Sequence, residues 1–219
     1  MIHKNEQLFY FRKLTILDIP QIKECLQDVI NTLTDNEIFL YPSIEFMNQI
    51  IEGLGLSVGV FEDQCLIGFC SAIYPHENER NLGYKLDMKR DQLNRVVHIE
   101  NICVMQKYRM KGLAKRLYNY LFSLFDSKHS IVLATISPKN IPSLSLAFSY
   151  RLEIVKFFNI HNVDRYIMYR DISKSKNHIP HQFLRINYND IDHIQQALQL
   201  GYSGISFDDN VSSIFFEKN

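Results

Sequence analysis

V-V-H-I-E-N-I-C-V-M (96–105), followed by Q-K-Y-R-M-K-G-L-A (106–114), is the stretch that decides how this chain folds. The first run is apolar and β-branched and reads as a strand. From Leu113 onward, Leu113, Leu117, Leu121 and Leu124 fall on one stripe of a helix that the pattern carries to Phe125. Between the two lies R-x-x-G-x-A, Arg109 to Ala114. A helix that opens from such a loop exposes backbone N–H groups that no intrahelical carbonyl reaches. Those donors and the positive end of the helix dipole form a natural seat for a diphosphate. Lys107, Arg109, Lys111, Lys115 and Arg116 crowd this turn, and no Asp or Glu stands among them. Cations at a helix start oppose its dipole, so this pattern points to a bound anion rather than to helix stability. A solvated basic turn is the alternative reading.

The rest of the composition narrows the function classes. With 219 residues, 46% apolar, the chain has material for one large domain, or for one domain and an appendage. Lys plus Arg and Asp plus Glu both total 24, so no bulk attraction to nucleic acid or to an anionic membrane is expected. Cys25, Cys65, Cys70 and Cys103 form no C-x-x-C pair, and the last three lie in strand-like runs. They are expected to be small buried hydrophobes, with neither a metal site nor a disulfide framework. Met1 to Asn5 is polar, without the apolar core of a signal peptide, and no 18-residue apolar run occurs. The expectation is a cytoplasmic protein that does not enter a membrane.

The remaining elements follow from periodicity and punctuation. Phe9 to Leu14 reads as a strand, and Asp18 as the N-cap of a helix to about Thr32. A short helix is expected from Ser43 to Glu52, stopped by Gly53 and Gly55. Ser57–Glu62 and Cys65–Tyr74 form a hairpin through Asp63-Gln64, and Gly68 marks a bulge or a close backbone approach. Residues 75–95 read as a polar loop with at most one helical turn. Ile131–Ile136 is a buried strand, and Asn140 caps a helix through Tyr150. Ile154–Ile160 and Tyr166–Ile172 close as a hairpin. Ser173–His178 is a polar linker, followed by a strand from Phe183, a helix over Asp190–Leu200 with Gly201 behind it, and a last strand at Ile214–Phe216. Leu14–Gln27 aligns without gaps on Ile186–Gln199, either as a partial duplication or as the shared grammar of a capped amphipathic helix. The predicted fold is mixed α/β (α+β), a mostly antiparallel sheet with one parallel crossover and helices on both faces. Residues 1–173 form the main domain and 174–219 a small β-α-β appendage packed on it.

The run H-I-E-N-I-C-V-M-Q-K-Y-R-M-K-G-L-A-K-R-L-Y (98–118), with T-I-S-P-K-N-I-P-S (135–143), resembles the GCN5-related N-acetyltransferase (GNAT) family. The likeness covers roughly Phe9 to Ile172. It implies the acyl-CoA N-acyltransferase fold, with a splayed sheet, and acetyl-CoA as donor. It implies that the backbone of Arg109, Met110, Lys111, Gly112, Leu113, Ala114 and Lys115 holds the pyrophosphate. Ile102, Cys103 and Val104 would pair with the pantetheine arm, and the Val104 N–H would polarise the thioester carbonyl. Asn140 and Ser143 would contact the lower pantetheine or its phosphates; a purely structural N-cap is the other role open to Asn140. Glu100, nine residues before Arg109, matches the family's general base, and a charge paired at the sheet edge is its alternative.

Two features depart from the family pattern. Ala147 stands where many members carry a Tyr that protonates the leaving thiolate, with Tyr150 three residues on. Arg151-Leu152 replaces the usual Gly-Phe. The expected function is acetyl transfer to a small-molecule amine or a peptide N-terminus. A non-catalytic CoA-binding or regulatory protein of the same fold is the alternative. The aromatic residues Phe39, Tyr41 and Phe46 are open to core or acceptor-pocket roles. For the appendage three roles stay open: covering a sheet edge, forming a homodimer contact, or shaping the acceptor site.

Overall fold

The computed structural model describes residues 8–33, 35, 37–160, 162–174 and 182–218. The expectations for Met1–Asn5, and for most of the 173–178 linker, lie outside them. The chain forms two compact units: Met1–Asn36 with Leu40–Ile73 and Glu100–Phe125, and Glu37–Phe39 with Tyr74–Ile99 and Asp126–Asn219.

The first unit contains β1 (Tyr10–Lys13), α1 (Ile19–Asn31), α2 (Ile44–Gln49), β2 (Gly55–Glu62), β3 (Cys65–Ile73), the second half of β4 (Val96–Val104) and α4 (Leu113–Phe122). β2 pairs antiparallel with β1, from Tyr10↔Phe61 to Lys13↔Val58, and with β3, from Gly55↔Ile73 to Glu62↔Cys65. The hairpin turns through Asp63 (φ 46°) and Gln64 (φ 71°), both left-handed, which matches the strand twist at the expense of two non-glycine residues in that region. Val60 pairs with Gly68 and Phe61 with Leu66, so Ile67 is the extra residue of a bulge beside Gly68. α1 packs on β3, and α4 on β2 and β3. Ile22, Cys25, Leu26, Leu113, Leu117 and Leu121 are buried there, the helical stripes read from the sequence.

Three expectations are corrected in this unit. Asp18 does not cap α1 with its side chain. Its carboxylate is taken by the Arg12 guanidinium, at 2.6 and 2.7 Å, and by the Thr15 N–H at 2.8 Å. The bond from Arg12 is the main cause that holds the Asp18 carboxyl below its ordinary pKa. α4 ends at Phe122 rather than Phe125. Cys65 is exposed because it is the first residue after the hairpin turn; Cys25, Cys70 and Cys103 are buried as expected, and all four are free thiols. Burial pushes the Cys25 thiol up to about 12.

The second unit carries the first half of β4, β5 (Ile131–Ile136), α5 (Ile141–Ser149), β6 (Glu153–Ile160), β7 (Val163–Asp171), β8 (Phe183–Asn187), α6 (Ile191–Gln199), β9 (Tyr202–Asp208) and β10 (Ser213–Lys218). The one parallel pairing described runs from Val96↔Ile131 to Ile99↔Ala134. β7 pairs antiparallel with β5 and with β6. β10 pairs antiparallel with both β9 and β8, and β9 meets β6 at Ile154↔Gly204. The fold is therefore mixed α/β, mostly antiparallel with one parallel crossover, as the sequence predicts.

Residues 183–218 are β-α-β-β, one strand more than expected. No element is assigned from sequence to Y-S-G-I-S-F-D (202–208), yet Gly204 is where β9 comes against Ile154: a Cβ built there would stand 3.1 Å from the Ile154 Cβ. Residues 75–95 are also more built than a polar loop. They hold a 3-10 turn at Leu82–Leu86 and a helical turn, α3, at Arg90–Leu93. Buried Asn81 donates to the His76 and Leu93 carbonyls and accepts from the Gly83 N–H. The Leu82 N–H donates to His98 Nε2 at 3.1 Å.

The end of α5 explains one departure from the family pattern. The Arg151 and Leu152 N–H groups return to the Phe148 and Ala147 carbonyls, a cap that requires a left-handed residue, and Arg151 has φ 57°. Glycine would adopt this conformation without the steric cost. Arg151→Gly is therefore expected to stabilise the protein by about 1 kcal/mol. Urea unfolding of both proteins checks this; an unchanged or lower midpoint would count against a strained cap.

Candidate active site

The turn at 106–112 is built from two left-handed residues. A 3-10 turn at Gln106–Tyr108 follows β4, Met110 takes φ 61° and Gly112 φ 72°, and α4 begins at Leu113. The Arg116 N–H donates to the Gly112 carbonyl at 3.2 Å, so the N–H groups of Leu113, Ala114 and Lys115 precede the first helical bond. Left-handed positions interleaved with ordinary ones turn successive N–H groups toward one side, the geometry of an anion nest.

The side chains around this turn do more than supply charge. Arg109 folds back, with Nε donating to the Val104 carbonyl at 3.0 Å and Nη2 to Thr32 Oγ1 at 2.9 Å. Asp28 accepts from the Gln106 N–H at 2.7 Å. Lys107 and Lys111 lie over the Tyr108 ring, at 4.7 and 5.2 Å, and Arg116 lies 4.6 Å from the Phe11 ring centre. The Tyr108 hydroxyl donates to Glu62, a bond that raises its pKa. The basic cluster read from the sequence is thus partly spent on shaping the turn. Asp28, Thr32 and Tyr108 are partners that periodicity gave no reason to single out.

The strand that leads into the turn shows a clear alternation. Asn101 and Cys103 are buried, whereas Glu100, Ile102 and Val104 are half-buried on the other face. The Met105 N–H donates to the Ile67 carbonyl at 3.0 Å, so odd-numbered residues here direct their N–H groups toward β3. Ile102 and Val104 therefore direct theirs to the opposite edge. Cys103 lies against β3, its carbonyl 2.8 Å from where a Cβ on Gly68 would stand, and burial raises its thiol pKa well above the ordinary value.

Glu100, Ile102, Cys103, Val104 and Arg109 to Lys115 all belong to the first unit. Asn140 and Ser143 belong to the second. Asn140 caps α5 by accepting from the Ser143 N–H at 3.1 Å, and its amide donates to the Ile38 carbonyl at 3.4 Å. Ala147 is fully buried in α5, so that position offers no acid. Tyr150 lies past the helix, whose last residue is Ser149, and not on one of its faces. Among the described residues, no helix is long and apolar enough to cross a membrane.

Comparison with known proteins follows the same lines. No curated protein matches the chain. Among solved structures, NAA60 of Arabidopsis thaliana with a bisubstrate analogue is 19% identical with a TM-score of 0.57, over 74% of this chain and 97% of that one. A putative acetyltransferase, yncA, of Salmonella typhimurium, solved with acetyl-CoA, is 12% identical with a TM-score of 0.58, over 78% and 98%. Diaminobutyrate acetyltransferase EctA of Paenibacillus lautus, with its substrate and coenzyme A, is 13% identical with a TM-score of 0.55, over 77% and 98%. These likenesses establish the fold. A family model described as "Acetyltransferase (GNAT) family" matches residues 26–148, more than half of the chain. The chain belongs to the GNAT acetyltransferase family, acyltransferases whose cosubstrate is acetyl-CoA.

Proposed function

We propose that this protein moves the acetyl group of acetyl-CoA to an amine by direct attack, with Glu100 as general base and the Val104 N–H polarising the thioester. The observation that carries the reading is the continuity of β4 with the 106–112 turn. One edge of the strand directs the Ile102 and Val104 N–H groups outward, and the left-handed pair Met110 and Gly112 leads into the N–H groups that precede the first helical bond of α4. An extended pantetheine arm pairs with the first, and a pyrophosphate sits on the second. On this reading the backbone of Arg109 to Lys115 holds the diphosphate, and Asn140 and Ser143 contact the lower pantetheine.

The chemistry is a balanced displacement. An amine is protonated at neutral pH and must lose a proton before its lone pair can attack. Glu100 accepts that proton, directly or through water, and the neutral amine then attacks the thioester carbonyl carbon to form the C–N bond. The Val104 N–H donates to the oxygen that gains charge. The C–S bond then breaks, and the second proton that the nitrogen sheds in becoming an amide passes, directly or through water, to the departing thiolate, whose thiol is acidic enough to leave without a protein acid, which accommodates Ala147.

The acceptor is a small-molecule amine or a peptide N-terminus. Residues 1–173 are read as the acetyltransferase domain and 174–219 as an appendage. In support, the solved neighbours are spanned almost fully while about a quarter of this chain has no counterpart in them. The free thiols favour a reducing, cytoplasmic setting. Release of coenzyme A, followed with a thiol reagent against a panel of small amines and short peptides, tests the whole reading. At least one acceptor is expected to drive release above the hydrolytic background. Binding of acetyl-CoA with no acceptor-dependent release would leave a CoA-binding protein instead.

A further inference from the structure

Arg165 has no role in the chemistry above. It stands on β7 with 2% of its surface exposed. Alternation places it on the row with Ile167 and Tyr169, and that row lines an apolar cluster of Val96, Ile131, Leu133 and Ile167. An arginine keeps its charge even where burial disfavours it, so a charge at the end of an apolar row needs a partner. Desolvation lowers its pKa here, opposed by the charge of Glu37.

The partners present satisfy one corner of the guanidinium. Nη1 donates to the Ile38 carbonyl at a long 3.4 Å, an oxygen that also receives the Asn140 amide. Nε and Nη2 are buried and have no hydrogen-bond partner among the described residues. These two nitrogens share one edge of the guanidinium, and their N–H groups run parallel, spaced for the two oxygens of a carboxylate. Lys139, beside Asn140, pairs with Glu37 at 2.6 Å. That pairing leaves Arg165 as a single positive charge to be matched, which suits a monoanion better than a phosphate dianion.

We propose that Arg165 is a carboxylate-binding residue, its Nε and Nη2 holding both oxygens of one small carboxylic acid side-on. The carboxylate is carried by a small acid bound within the second unit. Sequence gave no hint of this residue, because the strand read from Tyr166 left Arg165 in a turn.

Thermal unfolding of the full chain tests it, with glycine, β-alanine and 4-aminobutyrate each set against its own amide, and with propionate and inorganic phosphate. Arg165→Met removes the charge, and Arg165→Lys keeps the charge without the fork. At least one acid is expected to raise the midpoint of the wild type where its amide does not. The ligand-free Arg165→Met protein is expected to be at least as stable as wild type, since it loses an unpaired buried ion, and to respond to none of the acids. Arg165→Lys is expected to bind at least about tenfold more weakly. The proposal is overturned if no acid protects the wild type, if amides or phosphate protect it as well as acids, or if both variants respond as wild type does. Calorimetric titration with acetyl-CoA alone, expected to be unchanged in both variants, separates a failure here from a failure of the acetyl-transfer reading.

Discussion

Glu100→Gln is expected to lower kcat by about 10² to 10⁴-fold while leaving acetyl-CoA binding within about twofold of wild type. The amide keeps the size and much of the hydrogen bonding of the carboxylate but cannot take a proton. The change therefore acts on the chemical step and on little else. Glu100 is half-buried on the face of β4 that also shows Ile102 and Val104, whereas its neighbours Asn101 and Cys103 point into the core. An isosteric replacement on that face removes no apolar packing. The pH profile supplies an independent readout. If Glu100 deprotonates the amine, the acidic limb of kcat/KM flattens in the variant, and a more basic pH partly restores rate by supplying free amine from solution. Full activity at neutral pH would remove Glu100 from the mechanism and leave it as a charge at the sheet edge.

Much of the fold was legible because its cues are local. The stripe of Leu113, Leu117 and Leu121, the Asn140 cap and the Asp63-Gln64 turn each depend on residues a few positions apart, and each stands where the pattern placed it. The misreadings have nonlocal causes. Asp18 looks like a cap, but Arg12, six residues earlier, takes its carboxylate. β9 escapes the sequence reading because Gly204 is small for contact with Ile154, a residue fifty positions away. The echo between Leu14–Gln27 and Ile186–Gln199 holds in burial, with Ile22 and Ile194 both fully inside. It fails in topology: β2 lies between β1 and β3, whereas β10, the last strand of its group, lies between β8 and β9. For the candidate site, the turn and the face of β4 that carries Glu100 could be read from the order of residues. Arg109 could not, because only folding turns its guanidinium back onto Val104 and Thr32. Arg165 is the extreme case, since its significance lies in what surrounds it.

Gly68→Ala is expected to destabilise the protein by about 1–3 kcal/mol and to weaken acetyl-CoA binding in the same step. A Cβ at this position would stand 2.8 Å from the Cys103 carbonyl and 3.2 Å from a Val104 methyl. The first contact is with backbone, so no rotamer change relieves it. Either the bulge at Ile67 opens or the end of β4 moves away from β3. The second outcome displaces Val104, whose carbonyl is held by Arg109 and whose N–H is assigned to the thioester. At about 2–4 °C per kcal/mol for a chain of this length, the midpoint should fall by roughly 2–12 °C. Gly112→Ala provides the contrast that isolates the cause. A Cβ there meets nothing within 4 Å, and the cost is only that of a non-glycine residue at φ 72°, about 1 kcal/mol. The Gly68 variant should therefore be the less stable of the two, measured by thermal unfolding, and its coenzyme A affinity should fall with it. Gly68→Ala with wild-type stability would mean that β3 and β4 yield without cost. The close approach at Cys103 would then be a tolerance of the sheet and not a constraint on where Val104 sits.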